Sequence, residues 1–136
     1  MRILGIDYGG SRTGLSLSDP VGITCSPLMT VAEKNLDRLV ERIVAIVEEQ
    51  GVGIIVVGLP RPLKGGVNAQ TEATETFAES LRRSTDATVT MWDERFTSRL
   101  ADRGRPSSSK SERDAVAACY MLQSYLDSGT RSTEDS

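Results

Sequence analysis

Histidine is absent from the 136 residues, which removes the commonest general base and the commonest zinc ligand; catalysis here must use carboxylates, hydroxyls, amines or a hard metal ion. Cysteine is nearly absent as well. Cys25 and Cys119 stand far apart without the C-x-x-C spacing of a thiolate metal site or redox pair, and reduced, packed thiols are the expectation. No apolar run approaches the roughly 18 residues that cross a bilayer. The opening Met1-Arg2-Ile3-Leu4-Gly5-Ile6-Asp7 lacks the basic-then-apolar layout of a secretory leader. A cytosolic protein with no membrane partner is expected.

The length suits one domain with a self-sufficient core and leaves no room for a second. A net charge of −3 argues mildly against a nucleic-acid partner. Its distribution argues the other way: from Arg95 to Arg113, five arginines and Lys110 stand against Asp102 and Glu112, a local balance of +4. Such a run also suits a solvated loop and helix face.

Arg2 to Tyr8 is rich in Ile and Leu and ends at Gly9-Gly10, as a buried strand entering a tight turn would. Thr13 to Ser18 alternates, with Leu15 and Leu17 on one face and Ser16 and Ser18 on the other, which predicts a half-buried antiparallel strand. After Asp19-Pro20-Val21-Gly22, a third strand is expected over Ile23 to Ser26. Asn35 to Gln50 carries apolar residues at helical spacing and stops at Gly51. Gly53 to Gly58 is continuously apolar, the pattern of a strand buried on both faces. Pro60 to Gly66 reads as a loop, about Ala69 to Arg83 as a helix and Thr88 to Trp92 as a fifth strand. A helix over Thr97 to Arg103, a loop over Gly104 to Lys110 and a last helix over Glu112 to Asp127 follow. Ser128 to Ser136 has no apolar residue and is expected as a disordered tail behind a single domain over 1–127. The result is an α/β chain with a mixed five-stranded sheet, its first three strands antiparallel, flanked by helices. In such sheets ligands sit at the carboxyl ends of the strands near the switch in strand order.

Asp7 falls at such an end, after Ile3 to Ile6, where an ionised carboxylate needs a cation or donors to offset its burial. It could also cap the following turn. Gly9-Gly10-Ser11-Arg12-Thr13-Gly14 lets a phosphate approach the backbone and offers Ser, Thr and Arg as donors. Its D-x-G-x-x-x-x-G pattern also occurs in actin-like and sugar-kinase ATPases, but those close nucleotide between two related domains. Asp93 and Glu94 end the fifth strand; alternation puts Asp93 with Val89 and Met91, and Glu94 with Thr88, Thr90 and Trp92. Asp114 shares a helix face with Ala117 and Ala118, although Ser111-Glu112-Arg113-Asp114 also reads as a capping box. Carboxylates drawn from a first strand, a later strand end and a last helix suit Mg²⁺ or Mn²⁺. Two such ions could activate water and steady the leaving oxygen at phosphorus.

The segments G-I-D-Y-G-G-S-R-T-G, I-I-V-V-G-L-P, W-D-E-R-F-T-S and R-D-A-V-A-A-C-Y-M-L-Q-S-Y-L-D, in that order over residues 1–127, resemble the YqgF family, also called RuvX, of the ribonuclease H-like superfamily. The resemblance implies a three-layer ribonuclease H-like fold and a metal-dependent nuclease with Asp7, Glu94 and Asp114 as catalytic metal ligands, Asp93 being the alternative to Glu94. It implies action in 5′-end maturation of 16S ribosomal RNA or on branched DNA, as in a Holliday junction resolvase. Gly9, Gly10, Ser11, Arg12, Lys64, Arg95, Thr97, Arg99 and Lys110 are the candidate substrate contacts. Related resolvases carry an acid at the end of the fourth strand; here Val57-Gly58-Leu59-Pro60 has none, so Glu94 substitutes from the next strand. Arg61-Pro62-Leu63-Lys64 puts positive charge where relatives have Asn and an acid. Branch or end selectivity would come from shape, with a homodimer as one arrangement supplying it. A non-catalytic nucleic-acid or ribosome-assembly binding module is the reading of a different class.

Overall fold

The structure is a computed structural model, and residues 1–60, 69–93 and 110–128 are described. The expected helix over 97–103, nearly all of the loop over 104–110, the loop after Pro60 and the tail beyond Ser128 lie outside them. The elements are β1 (Arg2–Asp7), β2 (Thr13–Ser18), β3 (Cys25–Val31), α1 (Leu36–Gln50), β4 (Val52–Leu59), α2 (Ala69–Ser84), β5 (Thr88–Asp93) and α3 (Lys110–Asp127). The strands form one sheet in the order β3-β2-β1-β4-β5. β1 and β2 pair antiparallel, as do β2 and β3, whereas β4 lies parallel to both β1 and β5. The two parallel connections run through α1 and α2, as parallel strands require. Among the described residues no helix is long and apolar enough to cross a membrane.

Local chemistry sets the boundaries. The Asn35 side chain accepts the Arg38 amide at 3.0 Å, and Gly51 ends α1 in the left-handed region at φ 67°, its N–H donating to the Val47 carbonyl. Ile23 does not enter the third strand. Asp19 Oδ1 accepts the amides of Ile23 at 2.8 Å and Thr24 at 3.3 Å, closing a turn that leaves Ile23 exposed. These amides, the Ile23 one foremost, hold the Asp19 carboxyl below its ordinary pKa. The strand therefore starts at Cys25 and runs on to Val31 through Pro27, a residue suited to an edge strand. Leu15 pairs with Met29 and Ser16 with Pro27, so Leu28 is the extra residue of a bulge.

The two sheet faces bury different chemistry. On one, Leu4, Ile6, Leu15, Leu17, Ile55 and Val57 pack against α1 and α2. On the other, Ile3 and Val56 pack against Met121, Leu122, Tyr125 and Leu126 of α3. The serine face of β2, expected to meet water, is covered: every residue of β2 is buried, because α3 lies over it. Burial of these hydroxyls is offset by hydrogen bonds. Ser16 Oγ donates to the Ala118 carbonyl at 2.9 Å, and Ser18 Oγ accepts the Ile3 amide at 2.8 Å.

Gly5 is what admits α3 so closely. A Cβ there would stand 2.5 Å from Ser16 Oγ and 2.8 Å from Leu122 Cβ, whereas one at Gly10 would meet nothing within 4 Å. Gly5→Ala should cost about 1–3 kcal/mol by overpacking, while Gly10→Ala should fall within about 0.5 kcal/mol of the parent. Urea unfolding of both variants checks the contrast; equal effects would contradict it.

Candidate active site

Asp7 is the last residue of the central strand, at the carboxyl edge where β1 has an antiparallel neighbour on one side and a parallel one on the other. That is the switch point at which ligands of such sheets bind. Strand alternation sets its direction: Ile3 packs with the α3 cluster, Leu4 and Ile6 with the opposite one, so Asp7 falls on the α3 face. Across the ladder its partner is Gly14.

Gly14 brings the second acid in. A Cβ at Gly14 would collide with the backbone carbonyl of Asp114, so the first part of α3 rests directly on the strand residue paired with Asp7. The capping alternative for Asp114 falls away because α3 begins at Lys110, before Ser111, and places Asp114 in its second turn. The Asp114 carboxylate instead accepts Arg12 Nε at 2.7 Å. The helix face touching the sheet is carried by Ala115 and Ala118, which are buried, rather than by the half-buried Ala117.

The turn between β1 and β2 positions Arg12. At Gly9 a Cβ would strike the Arg12 carbonyl, so only glycine allows this closure. Thr13 Oγ1 donates to the Gly9 carbonyl at 3.2 Å and accepts the Gly9 amide at 3.5 Å. Gly10, Ser11 and Arg12 are left exposed on the rim. On the opposite face Tyr8 stacks on Phe77 at 4.6 Å, and Thr71 Oγ1 donates to the Pro60 carbonyl at 2.7 Å. These contacts tie α2 to the carboxyl ends of β1 and β4.

Of the predicted site residues, the fold thus gathers Asp7, Gly9, Gly10, Ser11, Arg12 and Asp114. Lys110 opens α3 rather than ending a loop, and Glu94, Lys64, Arg95, Thr97 and Arg99 lie outside the described residues. Among the described residues no group of three or more acids or cysteines is placed to hold a metal, the third predicted acid not being among them. Asp7 and Asp114 offer hard oxygen donors, the chemistry Mg²⁺ and Mn²⁺ require. Sequence reasoning passed over Gly14 as a contact residue and Arg12 as the partner of Asp114. The signal for the first was a glycine inside a strand, which marks close backbone approach.

The mixed five-stranded sheet, with its antiparallel first three strands and helices on both faces, is the ribonuclease H-like fold. Residues 1–128 match the family described as RuvX, Holliday junction resolvase, and the chain belongs to that family. A relative from Acetivibrio thermocellus bearing the name "Putative pre-16S rRNA nuclease" is 42% identical, over 94% of this chain and 96% of its own length. One of the same name from Geobacillus kaustophilus is 40% identical, over 94% and 99%. Among solved structures, Thermus thermophilus RuvC bound to a Holliday junction substrate aligns with a TM-score of 0.63 at 15% identity, covering 96% of this chain and 97% of that one. The fowlpox virus Holliday junction resolvase aligns at 0.56 with 14% identity, over 94% and 99%. At such identities these structures speak for the fold.

The Arg12 and Asp114 side chains are 42% and 30% exposed. An ion pair so open to water contributes about 0–1 kcal/mol, so Arg12→Ala should leave the urea midpoint nearly unchanged. Gly14→Ala should lower stability by about 1–3 kcal/mol, because backbone rather than a flexible side chain blocks the added methyl. The reverse ranking would contradict the geometry.

Proposed function

We propose that this protein is a metal-dependent nuclease that hydrolyses phosphodiester bonds in 5′-end processing of pre-16S ribosomal RNA. The observation carrying this reading is the convergence of Asp7 and Asp114 through Gly14 at the carboxyl edge of the central strand. The names borne by relatives of about 40% identity over nearly the whole chain support the RNA substrate. Asp7, Glu94 and Asp114 would hold one or two Mg²⁺ or Mn²⁺ ions. In the described part of β5, Trp92 packs with the α3 cluster, and were the strand's alternation to continue past Asp93, Glu94 rather than Asp93 would share that face. When bound, such ions lower the pKa of water and steady the leaving oxygen.

The chain's own groups position the reactants. Asp7 is fixed by the β1 ladder and Asp114 by a helix seated on the sheet, so neither carboxylate depends on a loop for its placement. Arg12 donates to Asp114 and lies next to the exposed Ser11 and Gly10, where backbone and hydroxyl donors can meet phosphate oxygens. Lys64, Arg95, Thr97, Arg99 and Lys110 would extend that grip along the backbone. A cytoplasmic location follows from the RNA substrate. Resolution of branched DNA is the second reading, favoured by the description of the matching family.

Purified protein incubated with labelled pre-16S RNA and with a four-way DNA junction, with and without divalent metal, tests the proposal. Metal-dependent cleavage of the RNA is expected. Asp7→Asn and Asp114→Asn should each lower it by on the order of 100-fold or more, since even groups that merely orient a metal ligand are worth 10–100-fold. Cleavage of the junction alone would move the assignment to the second reading, and binding without any metal-dependent cleavage would make the protein a binding module. Affinity should also fall with salt, the slope of log K against log salt dropping by about 0.7–0.9 for each phosphate-contacting arginine or lysine replaced by alanine. Filter binding across a salt series measures it.

A further inference from the structure

Cys25 opens β3 and Cys119 lies midway along α3, 94 positions away, yet the fold brings their sulfurs to 3.1 Å. Spacing along the chain gave no hint of this, because the pair is made by packing α3 across the edge of the sheet. Two sulfurs this close are nearer than ordinary packing leaves them, and about 1 Å separates them from a disulfide bond. The Cys25 sulfur is also within reach of the Cys119 carbonyl at 3.2 Å and of Gln123 Oε1 at 3.6 Å. Gln123 is itself anchored, donating to the Ile23 carbonyl at 3.0 Å and to Asp127 Oδ1 at 2.9 Å. Both thiols are free and only half-buried, so a small oxidant can reach them.

We propose that Cys25 and Cys119 form a redox-active dithiol, which a peroxide oxidises to an intramolecular disulfide joining the edge strand β3 to α3. The two sulfurs are chemically unequal. Either sulfur could donate across the contact, but Cys25 alone also faces two oxygen acceptors, the Cys119 carbonyl and Gln123 Oε1, which favour a proton on it. With that proton shared towards Cys119 the Cys119 pKa is lowered, while the same interaction and burial raise that of Cys25. Cys119 is therefore the attacking sulfur. Its thiolate attacks one oxygen of hydrogen peroxide, the O–O bond breaks, and hydroxide leaves to be protonated to water. The Cys25 sulfur then attacks the resulting sulfenic acid at Cys119, the S–O bond breaks, and the hydroxide takes up the Cys25 proton as a second water. Two thiols and one peroxide become one disulfide and two waters, and a dithiol reductant reverses the change.

The consequence lies in where the bond falls. β3 is the hydrogen-bonded neighbour of β2, and β2 carries Gly14, on which the Asp114 end of α3 rests. Oxidation would pin α3 to the sheet one further turn along the helix. The thiol chemistry is independent of whether the chain cuts nucleic acid.

Treating the full chain with a slight excess of hydrogen peroxide, followed by thiol titration, intact mass and a non-reducing peptide map, tests the proposal. Both thiols should disappear together, the monomer mass should fall by about 2 Da, and a peptide joining Cys25 to Cys119 should appear and be lost on reduction. The melting temperature should rise by about 5 °C or more, because the bond closes a long loop. In Cys25→Ser the reaction should stop at a sulfenic acid on Cys119, trapped by a diketone reagent as a mass adduct. Gain of about 16 or 32 Da on either sulfur without a joined peptide, a cross-linked dimer, or thiols that survive peroxide would each overturn it.

Discussion

The close seating of α3 on the sheet is the constraint on which the rest of the structure depends. It is made possible by the missing side chains at Gly5 and Gly14 and is held by Ser16, whose hydroxyl donates to the Ala118 carbonyl from within the interface. Further along, Met121, Leu122 and Tyr125 fill the space over Ile3 and Val56. Small residues at the near end and large ones at the far end set the helix so that Asp114 arrives beside the end of β1. A polar strand face that would otherwise need water becomes the floor of an interface.

Electrostatics then decides what that position can do. Asp7, through its ladder partner Gly14, and Asp114, whose backbone rests on Gly14, bring two carboxylates to one edge of the sheet, the hard oxygen donors a small divalent cation would take. In the structure as it stands, the Arg12 guanidinium serves Asp114. Because that pair is exposed, its opening costs little, and the same arginine lies on the turn that offers exposed backbone to a phosphate. Acids supplied by a strand and a helix, and donors supplied by a turn, divide the work between rigid and adaptable parts of the chain.

Much of this was legible in the residues. The helical spacing from Asn35, the Gly51 stop, the continuous apolar run of β4 and the strand expected over Thr88 to Trp92 located their elements to within a residue or two. Asp7 announced itself as a carboxylate ending an apolar strand. What could not be read was partly tertiary and partly a matter of local turn and helix ends. Ser16 and Ser18 alternate as a solvent face would, and only the helix contributed from about 100 residues away shows that the face is buried. Ile23 looks like a strand residue, yet the Asp19 carboxylate captures its amide in a turn. Ser111 to Asp114 spells a cap, but the helix starts earlier. Cys25 and Cys119 are unrelated by spacing and adjacent in space. For the serine face and the cysteine pair the deciding partner is distant in sequence, whereas for Ile23 it lies four residues away and for Ser111 the helix simply begins one residue earlier.

The central claim is that Asp7 and Asp114 serve one metal site. A crystal structure of the protein soaked in Mn²⁺, with the anomalous signal of manganese located, tests it most directly. An ion bridging carboxylate oxygens of both residues, at roughly the 2.1 Å typical of small divalent cations, is the predicted result. Manganese bound elsewhere, or held by one of the two acids with the other turned away, would contradict it.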